Sequence, residues 1–148
     1  MIVHISTLLD TSTDRAWDAV KKSATLLHVA RGFLGFAGAR GFPEEWREGD
    51  AVRTRLVFFH LIPAWWTHQL RVVRLDDQNR EIYTNEGGGL VPVWNHRITI
   101  AAVSEASCRY TDEIEIRAGF LTPLVWLYAH IFYRYRQTRW RRLARSLT

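Results

Sequence analysis

The sequence predicts an α+β fold, in which a curved antiparallel sheet of about six to seven strands wraps around a long C-terminal helix. Several segments between residues 51 and 117 are rich in β-branched and aromatic residues, and short turn signals separate them, which favours antiparallel neighbours. Residues 120–145 form the longest stretch that is typical of a helix. The first half of this stretch is almost entirely apolar, so we expect it to be buried against the sheet.

The N-terminal part predicts one strand followed by two short helices. Residues 2–9 are β-branched and apolar, as in a strand, and residues 10–13 supply side chains for a turn and a helix cap. The apolar face of residues 16–20 predicts the first helix. Residues 26–30 predict the second, which the following glycines, Gly32 first, are expected to end.

The middle of the chain predicts the rest of the sheet. Residues 36–41 are predicted as a short strand and residues 43–50 as a loop. The long strands are predicted at residues 51–61, 65–75, 80–86, 93–104 and 107–117. No repeat, low-complexity tract or linker interrupts this pattern, so we expect one domain spanning residues 1–148.

Alternation along the last predicted strand indicates a sheet with one wet face. Its apolar face is formed by Cys108, Tyr110, Asp112, Ile114 and Ile116, among which Asp112 is the polar exception. The same parity gives inward-facing residues on three other strands: Val52, Thr54, Leu56, Phe58, His60, Trp66, His68, Leu70, Val72, Trp94, His96, Ile98 and Ile100. A β-bulge in any strand would reverse the assignment beyond it.

The order of predicted elements resembles that of the START-like superfamily. Two local features contribute: a Gly-Asp dipeptide at residues 49–50, and the segment from the triple glycine at residues 87–89 to Trp94 and His96. The superfamily (SRPBCC proteins) includes polyketide cyclases, lipid-transfer domains and birch-pollen-allergen relatives. The resemblance covers nearly the whole chain and implies the helix-grip fold, with a cavity that commonly takes hydrophobic ligands. Some members catalyse cyclisation or dehydration and many only bind or carry, so the fold does not decide between these roles.

Inward-facing polar residues are the candidates for chemistry. Three histidines and one aspartate fall on the predicted cavity face, and His130 lies on the helix that covers it. A histidine beside a carboxylate in an apolar cavity can act as a general acid or base. The candidate catalytic residues are His68, His96, Asp112 and Tyr110. Alternatively, each histidine is a structural residue whose hydrogen bonds go to a carbonyl, a tyrosine hydroxyl or water.

Aromatic residues form a second set of candidates. Trp66 and Trp94 are inward by parity and are predicted to be cavity walls. Trp126, Tyr133 and Trp140 recur every seven residues and share one helix stripe, which favours contact with the sheet. The complete predicted ligand-binding set is Phe58, His60, Trp66, His68, Trp94, His96, Tyr110, Trp126 and His130.

Several kinds of site are not predicted. No two candidate ligands show the short spacing that indicates a metal site, so the sequence predicts neither a metal nor another cofactor. The triple glycine at residues 87–89 lies between predicted strands and not before a helix, unlike a phosphate-binding loop. No serine lies in a G-x-S-x-G motif, which leaves a hydrolase of that type without support.

The net charge of +5 is local rather than general, because residues 117–148 hold seven arginines and no acidic residue. Arginines near a helix C-terminus complement the helix dipole or form a solvated face; weak contact with an anionic membrane is a lesser alternative. Basic charge confined to one helix end argues against nucleic acid as a partner. The apolar residues 118–133 are fewer than the roughly 20 that a spanning helix needs.

The cellular location is predicted from two weak signals. The only cysteine, Cys108, excludes an intrachain disulfide and suits a reducing compartment. The first residues lack the pattern of a secretory signal, so we expect a cytoplasmic protein. The sequence does not indicate an oligomeric state.

These observations lead to one main hypothesis and one rival. The main hypothesis is that the protein binds or carries a hydrophobic small molecule, such as a lipid, an acyl chain or a polyketide-like aromatic compound, between the sheet and the C-terminal helix. The rival is an enzyme of the cyclase or dehydratase type, in which histidine and aspartate side chains of the same cavity act as general acid and base. The sequence does not decide whether the protein is an enzyme.

Overall fold

The computed structural model describes residues 1–148 and has the predicted order of elements. The strands are β1 (Ile2–Leu9), β2 (Leu34–Ala37), β3 (Ala51–Phe58), β4 (Ile62–Pro63), β5 (His68–Asp76), β6 (Glu81–Gly87), β7 (Val93–Ser104) and β8 (Ser107–Arg117). The helices are α1 (Thr13–Val20), α2 (Ser23–Ala30) and α3 (Thr122–Ser146), with 3₁₀ turns at Ala39–Gly41 and Gly119–Leu121.

The strands form one curved antiparallel sheet in the order β1-β8-β7-β6-β5-β3-β2, and the short β4 pairs with β3. Strands β5 to β8 pair as consecutive hairpins, as their short connections predict. Buried side chains alternate along β8, so one face of the sheet is turned toward α3. The predicted helix-grip architecture is therefore confirmed.

Local hydrogen bonds fix where the helices begin. At α1 the Ser12 side chain accepts a hydrogen bond from the Arg15 backbone N–H, as an N-cap residue does. Before α3, the Thr122 hydroxyl accepts from the Ala118 N–H and donates to the Gly119 carbonyl. These bonds secure the connection between β8 and the helix that covers the sheet.

Only one side of α3 is buried, although its first half is apolar on almost every side. The buried residues recur every three or four positions: Ala129, Phe132, Tyr133, Arg136, Gln137, Trp140 and Ala144. Leu124, Leu127 and Ile131 lie away from this buried side and are more than half exposed, although all three line the space between α3 and the sheet. No helix in the structure has the length and apolarity needed to cross a membrane.

The arginine-rich half of α3 is not uniformly solvated. Arg136 is only 5% exposed, because the helical repeat places it on the same side as Tyr133 and Trp140. Arg139 donates to the His28 carbonyl, and Arg145 forms an exposed ion pair with Asp10. The prediction that this half faces water is therefore wrong for Arg136.

Four predicted strands have different bounds in the structure, and those predicted at residues 65–75 and 80–86 are observed at His68–Asp76 and Glu81–Gly87. The strand predicted at residues 36–41 forms earlier, at Leu34–Ala37, and a 3₁₀ turn follows it. The strand predicted at residues 51–61 ends at Phe58, because Phe59 and His60 have φ angles of 54° and 57°. This left-handed backbone breaks the alternation of the strand and turns the chain toward β4.

Candidate functional site

A cavity of about 560 Å³ lies between the concave face of the sheet and α3. Of its 29 lining residues 24 are hydrophobic, so the cavity favours an apolar occupant. The sheet contributes Leu56, Leu70, Val72, Ile82 and Ile98, and α3 contributes Val125, Tyr128, Phe132 and Tyr133. Its volume is typical of a site for a small organic molecule.

Aromatic rings form two parts of the cavity wall. Phe58 and Trp66 lie with their ring centroids 6.5 Å apart, on the side where β3 ends. Trp94 stacks on Tyr133 at 6.1 Å, and its indole N–H donates to the Tyr133 hydroxyl over 3.2 Å. The sequence analysis placed Phe58, Trp66 and Trp94 at the cavity, and all three line it.

Five polar side chains run across the concave face of the sheet, and we call this set the polar row. Its members are His68, Thr84, Glu86, His96 and Asp112. They belong to the neighbouring strands β5, β6, β7 and β8, whose register brings them together: Thr84 is opposite His96, Glu86 opposite Leu70 and Asp112 opposite Ile98. The polar row therefore results from the period-two pattern of four adjacent strands.

His68 and Glu86 form the first pair of the polar row. The Nε2 atom of His68 lies 3.1 Å from Oε2 of Glu86, and Thr84 donates its hydroxyl proton to Oε1 of Glu86 over 2.7 Å. The side chains of His68 and Glu86 are 9% and 12% exposed. Both line the cavity, so the pair places polar atoms on an otherwise apolar wall.

His96 and Asp112 form the second pair, which several further side chains hold in place. The Nε2 atom of His96 lies 2.8 Å from Oδ1 of Asp112, and the Tyr110 hydroxyl donates to the same oxygen over 2.9 Å. Gln137 donates to Oδ2 of Asp112 over 3.1 Å, and Arg136 donates to the Tyr110 hydroxyl over 3.2 Å. Asp112 is fully buried behind His96 and does not itself line the cavity.

Both carboxyl groups of the polar row are acidic despite their burial. Burial alone would raise the pKa of Asp112, but the charge of Arg136 and the hydrogen bond from His96 outweigh it, so the pKa lies below its ordinary value. For Glu86, burial also opposes ionisation, and His68, His96 and Thr84 together lower its pKa. Both carboxyl groups are therefore ionised at neutral pH.

The ionised carboxylates determine which nitrogen of each histidine is free. A carboxylate only accepts hydrogen bonds, so a neutral His68 or His96 must carry its proton on Nε2, the atom that faces the carboxylate. The Nδ1 atom of each ring has no hydrogen-bond partner in the structure and keeps a lone pair. Each pair can therefore present a proton acceptor whose orientation a carboxylate fixes.

No three His, Cys, Asp or Glu side chains converge into a group that could hold a metal ion.

Four of the nine predicted ligand-binding residues do not line the cavity. His60 is exposed beyond the end of β3, where its Nε2 accepts the Gly32 backbone N–H over 3.0 Å. The left-handed backbone at Phe59 and His60 breaks the alternation of side chains along β3, on which the inward assignment of His60 depended. Tyr110 points inward but lies behind Asp112, with its ring 4.9 Å from that of Trp140.

Trp126 and His130 do not line the cavity, because the N-terminal part of α3 that carries them packs near β1. Trp126 donates its indole proton to the Ile2 carbonyl over 2.9 Å, which ties α3 to β1. The ring of His130 lies 4.2 Å from that of Trp126, and its Nε2 atom is buried without a hydrogen-bond partner. Trp126 lies on the same helix stripe as Tyr133 but about two turns earlier, where this stripe meets β1 rather than the cavity.

Glu86 and Arg136 are site residues that the sequence analysis missed. Glu86 continues the alternation Ile82, Thr84, Glu86 along β6, so applying parity to this strand would have found it. Arg136 lies three residues after Tyr133 and four before Trp140, so the periodicity of α3 indicated its burial. In both cases the charge of the side chain suggested an exposed position, whereas its position in the repeat of the strand or helix predicts that it faces the interior.

The cavity opens beside an apolar and uncharged rim. Leu90 and Leu124 line the cavity and are 45% and 65% exposed. Nearby in sequence, Trp65 and Phe120 are exposed, and residues 119–133 contain no Asp, Glu, Lys or Arg. A hydrophobic molecule therefore meets no charged side chain along this part of α3.

The likeness to solved structures concerns the fold. No protein-family model matches the chain, and no curated protein matches it significantly. A protein from Chromobacterium violaceum is similar in structure, with a TM-score of 0.72, 14% identity and coverage of 97% of this chain and 96% of that one. A START superfamily protein from Mycobacterium smegmatis has a TM-score of 0.68 and 13% identity over 99% of both chains. Truncated norcoclaurine synthase from Thalictrum flavum has a TM-score of 0.66 and 15% identity, over 97% of this chain and 92% of that one. The chain therefore has the START-like helix-grip fold.

Proposed function

We propose that the protein binds a hydrophobic small molecule in the cavity between the sheet and α3. The observation that carries this proposal is the cavity itself, about 560 Å³ in volume with 24 hydrophobic residues among the 29 that line it. Apolar surface of this extent binds an apolar molecule because burying both surfaces removes them from water. The aromatic walls at Trp66 and Trp94 favour a flat ring system or an extended acyl chain.

A cavity-filling substitution tests this proposal. Val125 lines the cavity from α3, whereas Val103 is 52% exposed near the end of β7 and does not line it. Val125→Phe should weaken the binding of lipids and polyketide-like aromatic compounds at least about tenfold, and the matched Val103→Phe should not change it. Titration calorimetry and ligand-induced thermal shifts measure both. Equal affinities for the two variants and the wild type would contradict binding in this cavity.

A second function, acid–base catalysis, is supported by the His96–Asp112 pair. In this proposal Asp112 orients His96, and the free Nδ1 of His96 removes a proton from a substrate held in the cavity, as in a cyclisation or dehydration. Tyr110 and Gln137 are positioning residues, because they touch Asp112 and do not line the cavity, whereas Arg136 both donates to Tyr110 and lines the cavity. Norcoclaurine synthase, an enzyme, shares the fold, and one of its structures holds dopamine and hydroxybenzaldehyde. At 15% identity this activity does not transfer to the present chain.

Dehydration of an aromatic β-hydroxyketone, followed by ultraviolet absorbance, tests the catalytic proposal. His96→Gln keeps an amide that can donate to Asp112 but lacks the basic nitrogen, so we expect the rate to fall about 10²-fold or more. Affinity for the substrate should change far less. A wild-type rate equal to that of His96→Gln would contradict the catalytic role and leave the binding role standing.

A further inference from the structure

The polar row is rich in hydrogen-bond acceptors and poor in donors that face the cavity. Thr84 uses its proton on Glu86, and the Nε2 protons of His68 and His96 go to the two carboxylates. The remaining capacity consists of the two Nδ1 lone pairs and the unused lone pairs of Glu86. All of these accept hydrogen bonds.

The cationic and donor groups near the polar row are mostly committed elsewhere. The guanidinium of Arg136 donates to Tyr110 and lies 5.4 Å from the ring centre of Tyr133. Its Nε atom and the Nε1 atom of Trp140 are buried without partners, so neither presents a donor at the cavity surface. The hydroxyl of Tyr133 accepts from Trp94 and has no acceptor for its own proton, so it can donate to a ligand, as can Nη1 of Arg136, which makes no hydrogen bond within the protein.

The formal charges of the same groups disfavour an anionic ligand. Glu86 and Asp112 are negative and Arg136 is positive, so the set carries a net negative charge while the histidines are neutral. Among the lining residues Arg136 is the only lysine or arginine. A carboxylate at this position would face two buried carboxylates and lose its hydration shell, while the charge of Arg136 already compensates that of Asp112.

We propose that the natural ligand is an apolar molecule with a neutral hydroxyl group, an alcohol or a phenol, which donates to the polar row and accepts from Tyr133. A hydroxyl supplies one proton to Nδ1 of His68 or His96 or to Glu86, and its oxygen accepts the Tyr133 proton. The inference rests on the proposed binding function and adds the chemical class of the ligand. The polar row therefore favours hydroxylated ligands over fatty acids and other carboxylates, whereas an apolar cavity alone would not distinguish them.

Three naphthalenes of one shape test the inference: 2-naphthol, 2-methoxynaphthalene and 2-naphthoate. By titration calorimetry at pH 7, 2-naphthol should bind about tenfold or more tightly than 2-methoxynaphthalene. Only the naphthol can donate a hydrogen bond to Glu86 or to a histidine that a carboxylate orients. Naphthoate should bind most weakly. Glu86→Gln removes the charge, so it should erase most of the advantage of naphthol over methoxynaphthalene and improve naphthoate binding.

Glu115→Gln is the matched control, because Glu115 lies on the outer face of β8 and is paired with Arg117. It should leave all three affinities at their wild-type values, and an unchanged circular dichroism spectrum shows that each variant is folded. Equal wild-type affinity for the three compounds, or tightest binding of naphthoate, would overturn the hydroxyl inference while the binding function stands. Failure of all three to bind would overturn the binding function and the inference with it.

Discussion

The coupling between the buried charges of Asp112 and Arg136, which the Tyr110 hydroxyl bridges, can be tested by a double-mutant cycle on stability. Asp112 is fully buried and accepts three hydrogen bonds, from His96, Tyr110 and Gln137, at 2.8 to 3.1 Å. In Asp112→Asn a single amide oxygen replaces two carboxylate oxygens, and the new NH₂ group must face side chains that are themselves donors. The charge of Arg136 also loses its buried partner. Removing one member of a buried pair costs about 3–5 kcal/mol, and we expect a loss in this range.

Urea unfolding, followed by far-ultraviolet circular dichroism, measures the four members of the cycle. Arg136→Met keeps much of the side-chain volume and should cost about 2–4 kcal/mol, because Asp112 keeps its hydrogen bonds but loses the cation. The double variant should be less destabilised than the sum of the single variants by about 1–3 kcal/mol. Arg142→Met, at an exposed position of α3, is the control and should change stability by less than about 0.5 kcal/mol. Additive single effects, or an Arg136→Met effect as small as that of Arg142→Met, would refute the buried pair.

Further predictions concern pH and individual side chains. The pKa values of Glu86 and Asp112 lie below their ordinary 4.5 and 3.8, so their ionisation stabilises the folded state. This contribution is complete above about pH 4.5 and is lost as the pH falls below it. In urea unfolding at a series of pH values, Glu86→Gln should reduce the fall of the midpoint at low pH. His60→Ala should cost only about 0.5–1.5 kcal/mol and leave 2-methoxynaphthalene affinity unchanged, and a large loss of affinity would place His60 at the ligand. Burial raises the pKa of Tyr128 to about 12, so an ultraviolet titration step at that pH should disappear in Tyr128→Phe; an unchanged titration curve would contradict its burial.

Most of the fold was predictable because side-chain alternation, turn residues and the order of elements all indicate the same architecture. The alternation from Cys108 to Ile116 reports a strand with one buried face, and the structure has that strand with the same bounds. Strands at residues 2–9 and 93–104 were predicted with their observed bounds. The bulge between Val72 and Arg74 lies beyond the histidine end of β5, so it did not disturb the assignment of Trp66 and His68.

The candidate site was predictable only in part, because side-chain direction depends on features that residue type does not report. His60 lies outside the cavity because Phe59 and His60 have positive φ angles, and neither residue type predicts this backbone conformation. His130 and Trp126 were assigned by their presence on α3, whereas the rotation of the helix against the sheet decides which side meets the cavity. Glu86 and Arg136 were overlooked because charge is usually a surface signal, yet each has a buried partner that compensates for its desolvation.

The most direct test of the account is to locate a bound probe by isotope-filtered nuclear Overhauser effects. With 2-methoxynaphthalene, which has no hydroxyl to donate, binding depends on the apolar cavity alone. The account predicts contacts from the probe to the side chains of Trp66, Trp94 and Ile98, which line the cavity. Contacts confined to Trp65 and Phe120, which are 78% and 92% exposed, would place the probe on the surface and contradict a ligand-binding interior.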